Sequence, residues 1–316
     1  MTQLPAQPLL PIPIARYRDG NTGIPYAHTL DSGLPGPNVV VTALIHGNEV
    51  CGAHALDFLL QQKFMPRIGQ LTLIFCNVAA YESFDPADPT ASRCLDEDMN
   101  RVWAPDVIES SRVSQELRRA REILPLIQQA DLLLDIHSMQ TPSPPLVLSG
   151  SLEKGRTLAQ LVGVPKFVVA DHGHKAGMRM RDIGGFGDPA SPKNALLVES
   201  GQHWDPRSRA VAIETLLRFL VATGSADESL LRQHGFTLPP PKQVFVEVTE
   251  AVTIETDHFS FADDFLGLEI IPQAGTVIAL DGSRPVRTPY DNCALIMPTK
   301  RLKPGQTAVR LGRVLT

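Results

Sequence analysis

Residues 39–49 read VVVTALIHGNE. Three valines open a continuous apolar run of the kind that suits a strand buried on both faces. The run ends on two metal-capable side chains, His46 and Glu49, with Gly47 between them. Gly47 permits a turn tight enough for both groups to converge at the start of a helix read over 49–62. In open α/β sheets, ligands bind at the carboxyl ends of the strands, so the position of this motif says as much as its letters. Taken alone, His-x-x-Glu is also what a solvated His and a helix-capping Glu would produce.

The same alternation continues outward. Apolar runs at 71–78 (LTLIFCNV), 132–136 (LLLDI), 166–170 (KFVVA) and 195–199 (ALLVE) alternate with amphipathic stretches. Helices are expected over 106–129, with Pro125 inside, and over 207–222. This is the pattern of an α/β fold with a mostly parallel sheet flanked by helices. At 235–242, GFTLPPPK sets three consecutive prolines after Gly235, a stiff linker that cannot continue a helix. The expected organisation is therefore one domain over 1–235 and a smaller all-β domain over 243–316, where short strand-like runs alternate with Gly and Pro turns.

Composition narrows the function. The 316 residues are 43% hydrophobic and 20% charged, as in an ordinary globular protein. A net charge of -5 supplies no diffuse basic surface and argues against nucleic acid or an anionic membrane as partner. Cys51, Cys76, Cys94 and Cys293 are widely spaced, which suggests neither a disulfide framework nor a thiolate metal site. The first twenty residues lack a basic leader and are interrupted by four prolines, a poor signal peptide. A cytoplasmic enzyme is the expectation; the oligomeric state stays open, a homo-oligomer included.

Three further pieces join His46 and Glu49. His137 follows LLLDI and should emerge at the same sheet edge, giving two His and one Glu, a set that binds catalytic zinc with one position open. Asp135 is either a partner that orients His137 or a structural carboxylate. Glu199 ends the run LLVE, and a carboxylate at a buried strand end beside a metal suits a general base, though a helix cap is the plainer alternative. The loop at 93–103, RCLDEDMNRVW, gathers Arg93, Asp98, Asn100 and Arg101. An arginine's planar fork recognises carboxylates in two-point fashion, so this loop is where a substrate's charge should be held.

Together and in this order, HGNE, Arg93 with DMNR, DIH and ES-G resemble the succinylglutamate desuccinylase/aspartoacylase family, within the zinc carboxypeptidase-like clan. The resemblance implies a mixed, mostly parallel sheet and one zinc ion per chain on His46, Glu49 and His137. It implies that Glu199 activates water, that Arg93 polarises the scissile carbonyl, and that Asn100 and Arg101 hold the α-carboxylate of a small N-acyl amino acid. Tyr290 could correspond to a substrate-contacting tyrosine of the family, or be a buried turn residue. One feature of the pattern is missing: no arginine lies about ten residues before Glu199. Lys193, Arg179 or Arg181 could take its place in holding an acidic acyl group.

Other readings compete. A metallocarboxypeptidase acting on short peptides is compatible with the clan, and an inactive metal- or ligand-binding homologue is the non-enzymatic alternative. His172 and His174 form an HxH pair that could bind metal, but a mobile loop covering substrate suits that Gly-rich stretch better. Ser138 and Ser200 lack a GxSxG frame, and GGFG at 184–187 lacks the setting of a dinucleotide site.

Overall fold

A computed structural model describes residues 7–173 and 176–315. Its strands are β1 (Ala27–Asp31), β2 (Asn38–Ala43), β3 (Gln70–Phe75), β4 (Leu132–Met139), β5 (Leu146–Leu148), β6 (Phe167–Ala170) and β7 (Asn194–Gln202), followed by β8 (Val244–Thr253), β9 (Phe259–Phe261), β10 (Ile270–Ile271), β11 (Val277–Asp281), β12 (Arg284–Arg287), β13 (Cys293–Ile296) and β14 (Thr307–Leu315). The helices are α1 (Val50–Gln61), α2 (Val78–Glu82), α3 (Pro105–Ile108), α4 (Gln115–Gln129), α5 (Glu153–Val162), α6 (Pro206–Ala222) and α7 (Ser229–Gln233).

Eleven strands form one sheet in the order β1-β3-β2-β4-β7-β5-β6-β8-β14-β13-β10, and β12-β11-β9 form a second. The pairs β2–β3, β2–β4, β4–β7 and β5–β6 are parallel. The sheet is therefore mixed and mostly parallel at its centre. Its residues alternate between two cores. Val39, Val41 and Ala43 face α1, α5 and α6, meeting Leu56, Leu59, Leu158 and Leu216. Val40 faces α4, meeting Leu117, Ala120, Ile123 and Ile127, whose three- and four-residue spacing is one helical face. Burial on both sides explains why these strands read as unbroken apolar runs.

Two expectations are refined. The helix expected over 106–129 is two, α3 and α4, because Ser114 caps a new start by accepting from the Leu117 N–H. The prolines at 239–241 lie between α7 and β8, and the chain beyond them does not stand apart. Val244 N–H bonds to Lys166 O, and β8 pairs in parallel with β6, so the C-terminal strands extend the central sheet. Among the described residues no helix is long and apolar enough to cross a membrane.

Candidate active site

Three strands, β2, β4 and β7, deliver their ends to one place. After β2 the chain passes through Leu44, at φ 63°, and places His46 and Glu49 before α1. Gly47 is pressed against the neighbouring backbone: a Cβ there would lie 2.4 Å from Ala80 C and 2.5 Å from Ser92 O. Its N–H bonds to Arg93 O, which ties the motif to the arginine loop.

His137 and Glu199 are Cα partners on β4 and β7, so their side chains share a face of the sheet. Directly afterwards the register slips between His137 and Met139, and Gly201 takes φ 103°, a bulge that lets β7 turn away and leaves Glu199 at the rim.

His46, Glu49 and His137 are all buried, and one ligand atom from each lies within 4.8 Å of the others. His46 Nδ1 is 2.7 Å from Glu49 Oε1, and His137 Nδ1 is 2.8 Å from Glu49 Oε2. The second contact is close without hydrogen-bond alignment, and Oε2 is a buried oxygen with no hydrogen-bond partner. Two Nδ1 atoms beside one carboxylate, one of its oxygens unsatisfied, fit a divalent cation better than they fit each other.

The outer nitrogens are fixed as ligation requires. His137 Nε2 is 2.7 Å from Asp135 Oδ2, whose other oxygen accepts from the Thr42 hydroxyl at 2.7 Å. His46 Nε2 is 2.8 Å from Asp98 Oδ1. If Nδ1 of each ring faces a metal, each Nε2–H donates to a carboxylate, the arrangement that fixes the tautomer and strengthens the ligand. Arg93 Nη2 also lies 2.8 Å from His46 Nε2. Two N–H groups cannot donate to one another, so in that tautomer Arg93 retains Asp98 Oδ2, at 2.9 Å, as its acceptor.

Electrostatics follow from burial against charge. Burial alone would raise the Glu49 pKa, but His46 and His137 hold it well below the usual carboxylate range. Burial likewise opposes charge on His137, yet Asp135 and Glu49 draw its pKa well above normal, a demand for positive charge that a metal would meet in place of the proton. Glu199 lacks such relief. Burial pushes its pKa up to about 8, with His137 pulling down and Glu49 pushing up, and its Oε2 has no hydrogen-bond partner. A carboxyl tuned toward neutrality beside a metal set has the character of a proton-transfer group.

The loop bearing Arg93 is held from beneath by Glu116 of α4. This fully buried carboxylate accepts from the Leu95, Asp96 and Glu97 N–H groups and from Asn77 Nδ2. Asp98 is kept ionised: burial would raise its pKa, but His46, Arg93 and Arg101 lower it further. Asn100 spends its Oδ1 on the Met180 N–H, and Arg101 Nη1 donates to Asn100 O. Arg93 thus touches the triad at His46 and Glu49, and Asn100 is linked to it through its N–H bond to Asp98 Oδ1, with Arg101 next in the chain.

Not every expected residue arrives there. Tyr290, between β12 and β13, bonds to Thr249 at 2.6 Å and carries Arg313 over its ring at 4.2 Å, and among the described residues it makes no hydrogen bond or ion pair with the triad. The three suggested substitutes for the missing arginine are engaged elsewhere. Arg179 forms a two-point pair with Asp171, 2.8 Å for each bond, and also binds Asp182. Arg181 binds Asp182, Ser149 O and Ala195 O, and Lys193 donates to Gln128 O at the end of α4. His172 forms no metal cluster among the described residues, and His174 lies outside them. His203 is buried against Ser138, 2.8 Å away, and burial lowers its pKa to about 3, so it stays neutral. A cavity of about 420 Å³ lies next door, lined by Asp171, Arg181 and Asp182, but none of the triad lines it.

Residues 35–205, more than half of the chain, match the family described as succinylglutamate desuccinylase/aspartoacylase catalytic domain. The chain belongs to this family. Solved structures share its fold. Succinylglutamate desuccinylase from Vibrio parahaemolyticus superposes with a TM-score of 0.63 at 17% identity, covering 89% of this chain and 82% of that one. Murine aminoacylase 3 gives 0.58 at 20%, covering 89% and 96%. The ectoine utilization protein EutE from Ruegeria pomeroyi gives 0.61 at 17%, covering 88% and 85%. A comparison with curated protein sequences returns no match. As a member of the succinylglutamate desuccinylase/aspartoacylase family the chain is a deacylase-type hydrolase in class, and His46, Glu49 and His137 are residues that could hold its metal.

Proposed function

We propose that this chain is a zinc-dependent deacylase that hydrolyses the amide of a small N-acyl amino acid, releasing a carboxylate and the free amino acid. The observation that carries the reading is the convergence of two imidazole Nδ1 atoms and the Glu49 carboxylate, with Glu199 on the same sheet face as His137. Zinc held by these residues would supply Lewis-acid polarisation of the amide carbonyl and a more acidic water. Glu199 takes the proton from the attacking water and returns it to the leaving amine nitrogen. Arg93, kept cationic by Asp98 and Glu49 against the effect of burial, stabilises negative charge growing on the carbonyl oxygen. Four cysteines that stay free suit a reducing cytoplasm.

Arg101 is assigned the α-carboxylate of the substrate, assisted by Asn100. Its only side-chain hydrogen bond among the described residues goes to a neighbouring carbonyl, and burial lowers its pKa, so a carboxylate ligand would relieve it. Arg101→Ala is expected to raise KM about tenfold or more with a smaller effect on kcat. In wild type, converting the substrate's α-carboxylate to an amide should cost as much. Equal rates for acid and amide in wild type would remove this role.

The competing reading, a carboxypeptidase, is tested by substrate length. The C-terminal strands extend the catalytic sheet and should narrow the approach to the triad, so kcat/KM is expected to fall at least about tenfold from an N-acyl amino acid to its dipeptide and further to a pentapeptide. A rate that holds or rises with length selects the carboxypeptidase. No hydrolysis of any amide by zinc-loaded protein selects the inactive homologue.

A further inference from the structure

Behind the triad, on the α1 side of the sheet, lies a small polar cluster that the proposed reaction leaves unused. Successive residues of a strand project to opposite faces, so Ser138 points away from the face that carries His137 and Glu199, as Ile136 and Val198 do in packing toward α1. There it meets the imidazole of His203, Oγ to Nδ1 at 2.8 Å. The Cys51 thiol lies near Ser138 and Ser200 and donates to His137 O at 3.8 Å. Cys51 follows Glu49 by two residues, Ser138 is next to His137, and Ser200 is next to Glu199. The cluster therefore reaches, from behind, the segments that carry two of the metal ligands and the base. All four side chains are 0–3% exposed. Such burial costs stability unless hydrogen bonds satisfy the polar atoms, yet Ser200 Oγ has no partner and, among the described residues, neither has His203 Nε2. An apolar side chain in place of the imidazole would serve the core better, which points to a role in geometry.

The position of the ring in the chain says which geometry. β4 and β7 pair in register up to His137 and Glu199 and resume at Met139 and Gln202, so β7 spends one residue more than β4 on the interval. A bulge of this kind interrupts the main-chain ladder just where Glu199 has to be held. His203 closes the interruption twice. Its N–H donates to Met139 O at 2.9 Å, and its ring reaches back past the bulge to Ser138. The other side-chain link across the bulge, Gln202 Nε2 to Gln140 O, is longer at 3.3 Å and only half-buried. Burial keeps the His203 ring neutral, so its bond to Ser138 persists over the working pH range.

We propose that His203 is a positioning residue for the reaction: through Ser138 it clamps the bulge of β7 onto β4 and so sets where the Glu199 carboxylate stands relative to His46, Glu49 and His137. The consequence for turnover rests on the deacylase reading; the clamp itself rests on the bulge alone.

A matched pair of variants tests it. In His203→Asn the side-chain amide falls where Nδ1 was and keeps the bond to Ser138; in His203→Gln it falls nearer Nε2 and loses it. The assay uses zinc-loaded full-length protein and whichever of N-acetylalanine, N-succinylalanine and N-formylalanine wild type cleaves fastest. His203→Asn is expected to keep kcat within about threefold, whereas His203→Gln and Ser138→Ala lower it about 10–10²-fold at unchanged KM and zinc content, the scale of a displacement of about an ångström. The double variant should lose no more than either single one. Equal kcat in His203→Asn and His203→Gln, or a loss that falls on KM, overturns the positioning role. Amide hydrogen exchange in metal-free protein needs no turnover. Over residues 200–204 it should quicken about fivefold or more in His203→Gln and Ser138→Ala and stay near the wild-type rate in His203→Asn. That pattern supports the clamp even if wild type hydrolyses no amide, in which case only the deacylase reading fails. Wild-type exchange in both His203→Gln and Ser138→Ala overturns the clamp even if hydrolysis is seen.

Discussion

His46→Ala is expected to take bound zinc from about one ion per chain to none and to lower turnover at least about 10³-fold, the scale of a lost metal's charge stabilisation. His137→Ala should do the same. Both rings offer Nδ1 to the Glu49 carboxylate and both have Nε2 committed to an aspartate, so neither has a spare neighbour to replace it. Elemental analysis after dialysis against a weak chelator, with circular dichroism as a control for folding, checks the expectation. Full metal occupancy in His46→Ala protein would move the site elsewhere.

Glu199→Gln should separate metal from chemistry. The amide keeps the size of the side chain and the ligands are untouched, so zinc content should hold while kcat falls about 10²–10⁴-fold, the usual range for a lost general acid-base group. The pH profile supplies a second readout. A base must be ionised, so kcat/KM in wild type rises with pH through the Glu199 pKa. Burial sets that pKa at about 8 in the metal-free protein, and a cation at the triad pulls it downward. The acid limb is therefore expected below pH 8 in the zinc form and should be absent in Glu199→Gln. Near-normal turnover in the variant would assign the base to another residue.

The parallel strands were legible in the sequence because burial on two faces writes unbroken apolar runs, as in VVVTALI. Where local signals are weak, the reading stopped. β5 has three residues in a segment crowded by Pro142, Pro144 and Pro145, and α5 carries Gly155 in its first turn, which lowers its helical propensity. The triad was legible because each ligand sits at a strand end, a position the pattern reveals. Glu116 was not, since it holds the arginine loop from about twenty residues away in sequence through contacts that only the fold creates. Asp98 stood among the polar residues of its loop, but nothing local tells that it faces His46 rather than solvent. Tyr290 had only an alignment of letters to recommend it, and its contacts are with Thr249 and Arg313.

The parallel pairing of β6 with β8 has a mechanical consequence. Hydrogen bonds of the main chain run without interruption from the strands bearing His137 and Glu199 to β8 and β14 of the C-terminal segment. A protein built from two bodies on a swivel can admit its substrate by parting them; here parting them would tear a sheet and expose the unpaired edges of two strands. Admission and release must therefore fall to the loops at the rim, and the spacing between the metal ligands and the C-terminal strands is set like the span of a caliper whose jaws have been welded.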